Sequence, residues 1–261
     1  MSPGLKLASL ALVLGTARGQ IPILCATAGH MQRGECCPVF WGDGSLCGSA
    51  SGRGGCQRLE EGQRWAGDPS RGRDFRLHWP TYFYRRVCKC TGNYAGADCG
   101  ECGYGWQGEG CQRRHTVVRR DLAKMSRGER ARFVRAMQAA KTTHSRRFMV
   151  YASEGAWRQA PKSFRPASVF DVATWVHYVC SKTLVTGEGP NFAHQSTAFA
   201  VWHKLYLLYL EKEIRNITGD EDFYIPVWSW AGSANCTVCS DELFGRSTDT
   251  GLLTGPFQNW T

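Results

Sequence analysis

Ser168-Val169-Phe170-Asp171-Val172-Ala173-Thr174-Trp175-Val176-His177-Tyr178, then Asn191-Phe192-Ala193-His194, then Thr197 to Asn216 with His203 inside it, make up the stretch that decides the fold. Ser168 with Asp171 three residues on predicts an N-cap with an acid in the first helical turn. Behind it Phe170, Ala173, His177 and Cys180 share one face, and Val172, Trp175, Val176 and Val179 form a broader apolar side. His177 is therefore expected on a mostly buried helix. Gly187, Gly189 and Pro190 break the chain, which puts His194 on a loop or at a helix start. From Thr197 to Asn216, Phe199, His203, Leu207, Leu210 and Ile214 recur at helical spacing. They predict a second long helix with His203 in its apolar stripe.

Two buried helices that each point an imidazole inward, with a third imidazole from the intervening loop, make a three-histidine metal cup. Neutral imidazole suits copper, zinc, iron or nickel. Any one of these histidines alone would pass as an ordinary core or surface residue. The trio stands out because Trp175 and Trp202 lie beside two of them, and an apolar wall penalises a charged imidazolium that lacks a counter-ion. His30, His78, His115 and His144 lie outside the helical stripes and are taken as surface or structural.

The stretch Phe192-Ala193-His194-Gln195-Ser196-Thr197-Ala198-Phe199-Ala200-Val201-Trp202-His203-Lys204 resembles the first copper-binding signature of the tyrosinase family. Leu205 to Glu213 and Ile225-Pro226-Val227-Trp228-Ser229-Trp230 extend the resemblance, which runs from near Ile21 to Trp260. It is greatest to the vertebrate members of melanin synthesis. The resemblance implies a mainly α fold, the N-terminal half of a di-copper helical bundle, preceded by a small disulfide-rich EGF-like module. It also implies that His177, His194 and His203 are the ligands of the first copper. Family members hold two coppers on three histidines each, hydroxylate a phenol beside its hydroxyl, and oxidise the catechol to a quinone. A phenol or catechol is thus the implied substrate.

Upstream, residues 1–19 have the form of a signal peptide, with Lys6 before an apolar run from Leu7 to Leu14 and small residues at Thr16-Ala17-Arg18-Gly19. That run is too short to span a membrane, and no other stretch approaches eighteen apolar residues, so no membrane anchor is expected in this chain. Ten of thirteen cysteines fall between Cys25 and Cys111. With a signal peptide, this density argues for an oxidising secretory route and a disulfide scaffold over residues 20–112. The spacing Cys88-Lys-Cys90, Cys99, Cys102, Cys111 resembles an EGF-like fold; a zinc ribbon is the alternative. Connectivity is not readable from spacing, but the family pattern suggests Cys25–Cys36, Cys37–Cys56, Cys47–Cys88, Cys90–Cys99 and Cys102–Cys111. Asp68 to Arg76 is expected to be an exposed loop. The formal charge of +10, spread over doublets such as Arg113-Arg114 and Arg119-Arg120, is read as solvated surface. Nucleic acid is excluded as a partner for such a disulfide-rich secreted chain, whereas lumenal protein contacts through the cysteine-rich module are compatible with it.

Residues 113–261 are expected to form the partial copper-binding domain. Ser126-Arg-Gly-Glu129 is a capping box opening a helix to about Thr142. Phe148 to Tyr151 is expected to be a short connector, Pro161 to Pro166 a loop, and Ile225 to Trp230 a wall. Cys236-Thr-Val-Cys239 is a local disulfide in preference to a metal or redox pair. Asn216, Asn235 and Asn259 each open an N-glycosylation sequon. Cys180, one turn after His177, is the odd thirteenth cysteine; a buried thiol, an intermolecular link and a soft metal ligand are its readings.

The family's second copper site uses a His-x-x-x-His pair, and none occurs here. Around the first site, Gln195-Ser196-Thr197 stands where the family has Glu-Ala-Pro, and Val201-Trp202-His203-Lys204 where it has Pro-Trp-His-Arg. Val227-Trp228-Ser229-Trp230 also departs from the family pattern, and the His177–His194 loop is short. The expectation is a partial or truncated member holding at most one copper, or zinc, and inactive by itself. A non-catalytic secreted or lumenal relative, and a zinc-binding isomerase-like one, are the alternatives. The melanosome lumen follows from the resemblance; secretion follows if no anchor exists.

Overall fold

The computed structural model describes residues 20–59, 83–151, 164–181, 191, 193–194 and 197–260. The signal-peptide reading of residues 1–19, the loop at Asp68 to Arg76, and His78 lie outside them. Among the described residues there are four α-helices: α1 (Ala28–Arg33), α2 (Arg127–Thr142), α3 (Val169–Ser181) and α4 (Phe199–Thr218). Twelve short strands accompany them, seven of only two residues. The expected mainly α fold is therefore corrected to a mixed one, with a cysteine-rich strand region ahead of a helical C-terminal part. No helix among the described residues is long and apolar enough to cross a membrane.

Two compact units form, one within Met1–His115, Arg146–Ala167 and Val172–Leu205, the other within Thr116–Ser145, Ser168–Asp171 and Tyr206–Thr261. In the first, cysteines replace a large apolar core. Disulfides join Cys25–Cys36, Cys37–Cys56, Cys47–Cys88, Cys90–Cys99 and Cys102–Cys111. Gly54–Arg58 pairs antiparallel with Arg86–Cys90, with Cys56 opposite Cys88, and Glu35–Cys36 adds in parallel. Gly54 must be glycine here, because a β-carbon would lie 2.7 Å from both the Cys99 sulfur and the Lys89 carbonyl oxygen. Arg53 stacks on Phe40 and Tyr94, 4.3 and 4.4 Å from the ring centroids, and donates to the Glu109 carbonyl.

Gln20–Pro22 lies antiparallel to His144–Tyr151, with Ile21 opposite Met149, and Phe164–Ser168 forms the other edge of this sheet. Phe148 to Tyr151 is thus a central strand, not a connector, and Phe164 to Pro166 is part of a strand, not a loop; residues 161–163 are outside the described ones. Both prolines, Pro22 and Pro166, sit on edge strands, where a missing amide costs least. Ile21, Phe83, Tyr84 and Tyr151 pack behind the sheet with Cys25 and Cys36. Arg147 holds Glu101 through two bonds of 2.7 and 2.6 Å, tying this sheet to the cysteine-rich strands.

In the second unit, α2 begins with the capping box at Ser126 and Glu129 and buries Phe133, Val134, Ala136 and Ala140. Phe133 stacks on Phe223 and meets the edge of Phe244. The far half of α4 buries Tyr209, Leu210 and Ile214, but also Glu211 and Glu213. A buried carboxylate is tolerable only when bonded. Glu211 accepts from Arg119 Nε and the Ile225 amide, both at 2.9 Å, and Glu213 accepts from Ser145 Oγ at 3.3 Å. Cys236 is bonded to Cys239. The Ile225 to Trp230 segment bridges to Asp121 through Val227 and leaves Trp230 exposed.

Candidate metal centre

All three histidines of the cup lie within the first unit. The Asp171 amide bonds to Ser168 Oγ at 3.0 Å, so α3 begins at its expected cap. Val169, Val172, Ala173, Val176 and Val179 form its buried stripe, and His177 stands at the margin of that stripe, half-buried. Trp175 is half-buried and Tyr178 exposed, so the buried side is narrower than the sequence suggests. His194 lies on a turn and is exposed; its amide donates to Asn191 Oδ1 at 2.9 Å. His203 is in the second turn of α4, which starts at Phe199.

These three imidazoles converge. One ring nitrogen from each of His177, His194 and His203 lies within 4.8 Å of the other two. Nε2 of His177 is 3.3 Å from Nε2 of His194. His203 Nδ1 lies 2.8 Å from the Phe199 carbonyl oxygen. A carbonyl only accepts, so Nδ1 carries the proton and the Nε2 lone pair is left for a ligand role. Burial, and then the neighbouring His194 and His203, push the His177 pKa below its usual value, which favours the neutral ring that metals require. Lone pairs crowded at this range repel unless a proton or a cation lies between them. The donor set therefore fits a borderline cation such as copper or zinc.

Among the described residues, Trp202 and Phe199 give the cup an aromatic wall. Trp202 meets His177 and His203 edge-on at 5.7 and 4.8 Å, and Phe199 lies 4.3 Å from His203. Phe199, which lies on the His203 ring, is half exposed and His194 is exposed, so the cup is open on that side. Gln195 and Ser196 are outside the described residues.

Other candidate residues lie elsewhere. His30 bonds Thr27, the His115 amide bonds Gly105, and His144 is exposed at a strand end. The second cluster of potential ligands, Cys37, Cys47 and Cys88, is consumed by two disulfides. Asn216 lies near the end of α4, and Asn235 and Asn259 on loops, all exposed. The sequence assigns no role to Phe199's carbonyl or to Asn191. Phe199 is found only once the helix start is known, whereas Asn directly after Pro190 is a recognisable turn signal.

Residues 167–261 match the family described as tyrosinase, common central domain of tyrosinase. The chain is 36% identical over 271 residues to tyrosinase of Pelophylax lessonae, covering 98% of this chain and 51% of that protein. It is 39% identical over 271 residues to tyrosinase of Pelodiscus sinensis, covering 98% of each. Tyrosinase of Coturnix japonica matches at 37% over 266 residues, 96% of this chain and 97% of that one. The chain thus spans about half the length of the first relative and nearly all of the other two.

Proposed function

This chain belongs to the tyrosinase family, and from that premise we propose that His177, His194 and His203 hold a single copper ion in an oxidoreductase acting on phenols and catechols. The observation that carries the reading is the convergence of three imidazole nitrogens within 4.8 Å, one already committed to the Nδ1-protonated tautomer. Copper bound there would supply dioxygen binding and electron transfer for phenol oxidation. The chain's own residues do the rest. His203 presents Nε2 because Phe199 holds Nδ1, Trp202 limits ring rotation, and the half-exposed Phe199 ring beside His203 offers an apolar platform to an aromatic ring.

A second reading is a metal-holding relative without oxidase activity. It is favoured by the single three-histidine cluster among the described residues, since a two-copper reaction needs two such sets. By that reading the chain alone turns over neither tyrosine nor dihydroxyphenylalanine after copper loading. The residues 20–112 module is proposed to be the disulfide scaffold of a secretory or melanosomal protein, with Asn216, Asn235 and Asn259 as glycan acceptors. Their exposure and the disulfides support that route.

Titration of copper or zinc into the purified chain tests the site. Expected is at most one ion per chain, most of it lost in His203→Ala and none lost in His144→Ala. Undiminished binding in His203→Ala, or equal loss in both, contradicts the cup.

A further inference from the structure

Three hydrogen bonds run from the backbone of one imidazole-bearing residue to that of another. Ser181, the last residue of α3, donates its hydroxyl to the His177 carbonyl at 2.6 Å. Its own carbonyl accepts Asn191 Nδ2 at 2.7 Å. Asn191 Oδ1 in turn accepts the His194 amide at 2.9 Å. Asn191 is buried, 7% exposed, and both ends of its amide are used. A carboxamide is the side chain that suits this place, because it donates from one end and accepts at the other. Aspartate would keep the acceptor but set a carboxylate against the Ser181 carbonyl. Alanine would leave the His194 amide and the Ser181 carbonyl without these bonds in a half-buried site.

We infer that Asn191 is a positioning residue for the metal cup: with Ser181 it clasps the end of α3 to the His194 turn and sets the His177–His194 spacing. The inference rests on the metal reading above only for its consequence, not for its geometry. His194 sits on an exposed turn with no helix of its own, so the direction of its ring depends on how that turn is anchored. His177 and His203 are fixed by their helices; His194 is fixed by Asn191. Metal sites are sensitive to such supporting bonds, and their loss weakens affinity about ten- to a hundredfold.

The test uses the full chain as wild type, Asn191→Ala, Asn191→Asp, Ser181→Ala and, as a control, Asn93→Ala. Asn93 donates to the Cys111 carbonyl at 3.0 Å in the cysteine-rich strands, so its loss is a comparable structural insult away from the cup. Without metal, proton NMR should show a His177–His194 ring contact in wild type and Asn93→Ala, absent in Asn191→Ala and weakened in Asn191→Asp and Ser181→Ala. With copper(II), Asn191→Ala should bind about ten- to a hundredfold more weakly and with an altered electron paramagnetic resonance spectrum. Asn93→Ala should keep both wild-type affinity and wild-type spectrum. An unchanged ring contact in Asn191→Ala, or an equal loss in Asn93→Ala, overturns the inference. If wild type shows the ring contact and binds no copper, the metal reading fails and the clasp stands.

Discussion

At the scale of the residue, local hydrogen bonds fix the state of both His203 and Asp43. His203 keeps its proton on Nδ1 because an acceptor four residues back demands it. Asp43 shows the same logic away from the cup. The Ser45 and then the Ser51 hydroxyls bond its carboxylate, each backed by its own amide, and hold the Asp43 pKa far below the usual carboxylate range. A carboxyl depressed in the folded state adds stability above its ordinary pKa of 3.8 and loses it as pH falls further. Asp43→Asn should therefore lower the urea midpoint at pH 7, with the gap to wild type shrinking below about pH 4. A gap as wide at pH 2 as at pH 7 would contradict this. Neither serine is conspicuous in the sequence, because Ser51 comes eight positions after Asp43 along a loop with no period.

At the scale of the element, local chemistry was readable where it is local. The capping box at Ser126 and Glu129 closes within three residues, and the two bonds it predicts are present at 2.8 and 3.3 Å. Ser126→Ala should cost about 1 kcal/mol, the usual worth of such a cap. Thermal unfolding of the full chain would measure it, and a loss below a few tenths would show that α2 is held by Phe133 packing alone. The α3 and α4 helices follow their patterns to within two residues, from Ser168's cap and from the stripe through Leu210 and Ile214. What the pattern could not show is the strand at His144–Tyr151. One of its two partners, Gln20–Pro22, is more than a hundred residues earlier, and Phe148 to Tyr151 has no alternation that marks a strand. The buried Glu211 was equally hidden, since Arg119 lies 92 residues away.

At the scale of the whole molecule, the chain draws three imidazoles from a helix, a turn and a second helix into one cluster. The helical spacing disclosed two of them, and the family resemblance supplied the third, because a turn carries no period from which a direction can be read. Apolar residues at helical spacing would by themselves predict a covered face, yet Phe199, which lies on the His203 ring, is 50% exposed. The mixed α and β character also lay beyond the local pattern, since disulfides such as Cys47–Cys88 close across 41 residues and order strands of two residues that no propensity would support. Cys180, three residues past His177, is the thiol near enough in sequence to offer a competing soft ligand. X-ray absorption of the zinc- or copper-loaded chain separates the two ligand sets directly. The account predicts three imidazole nitrogens at about 2.0 Å and no sulfur scatterer; a sulfur at about 2.3 Å, or fewer than three imidazoles in a fully loaded chain, would contradict it.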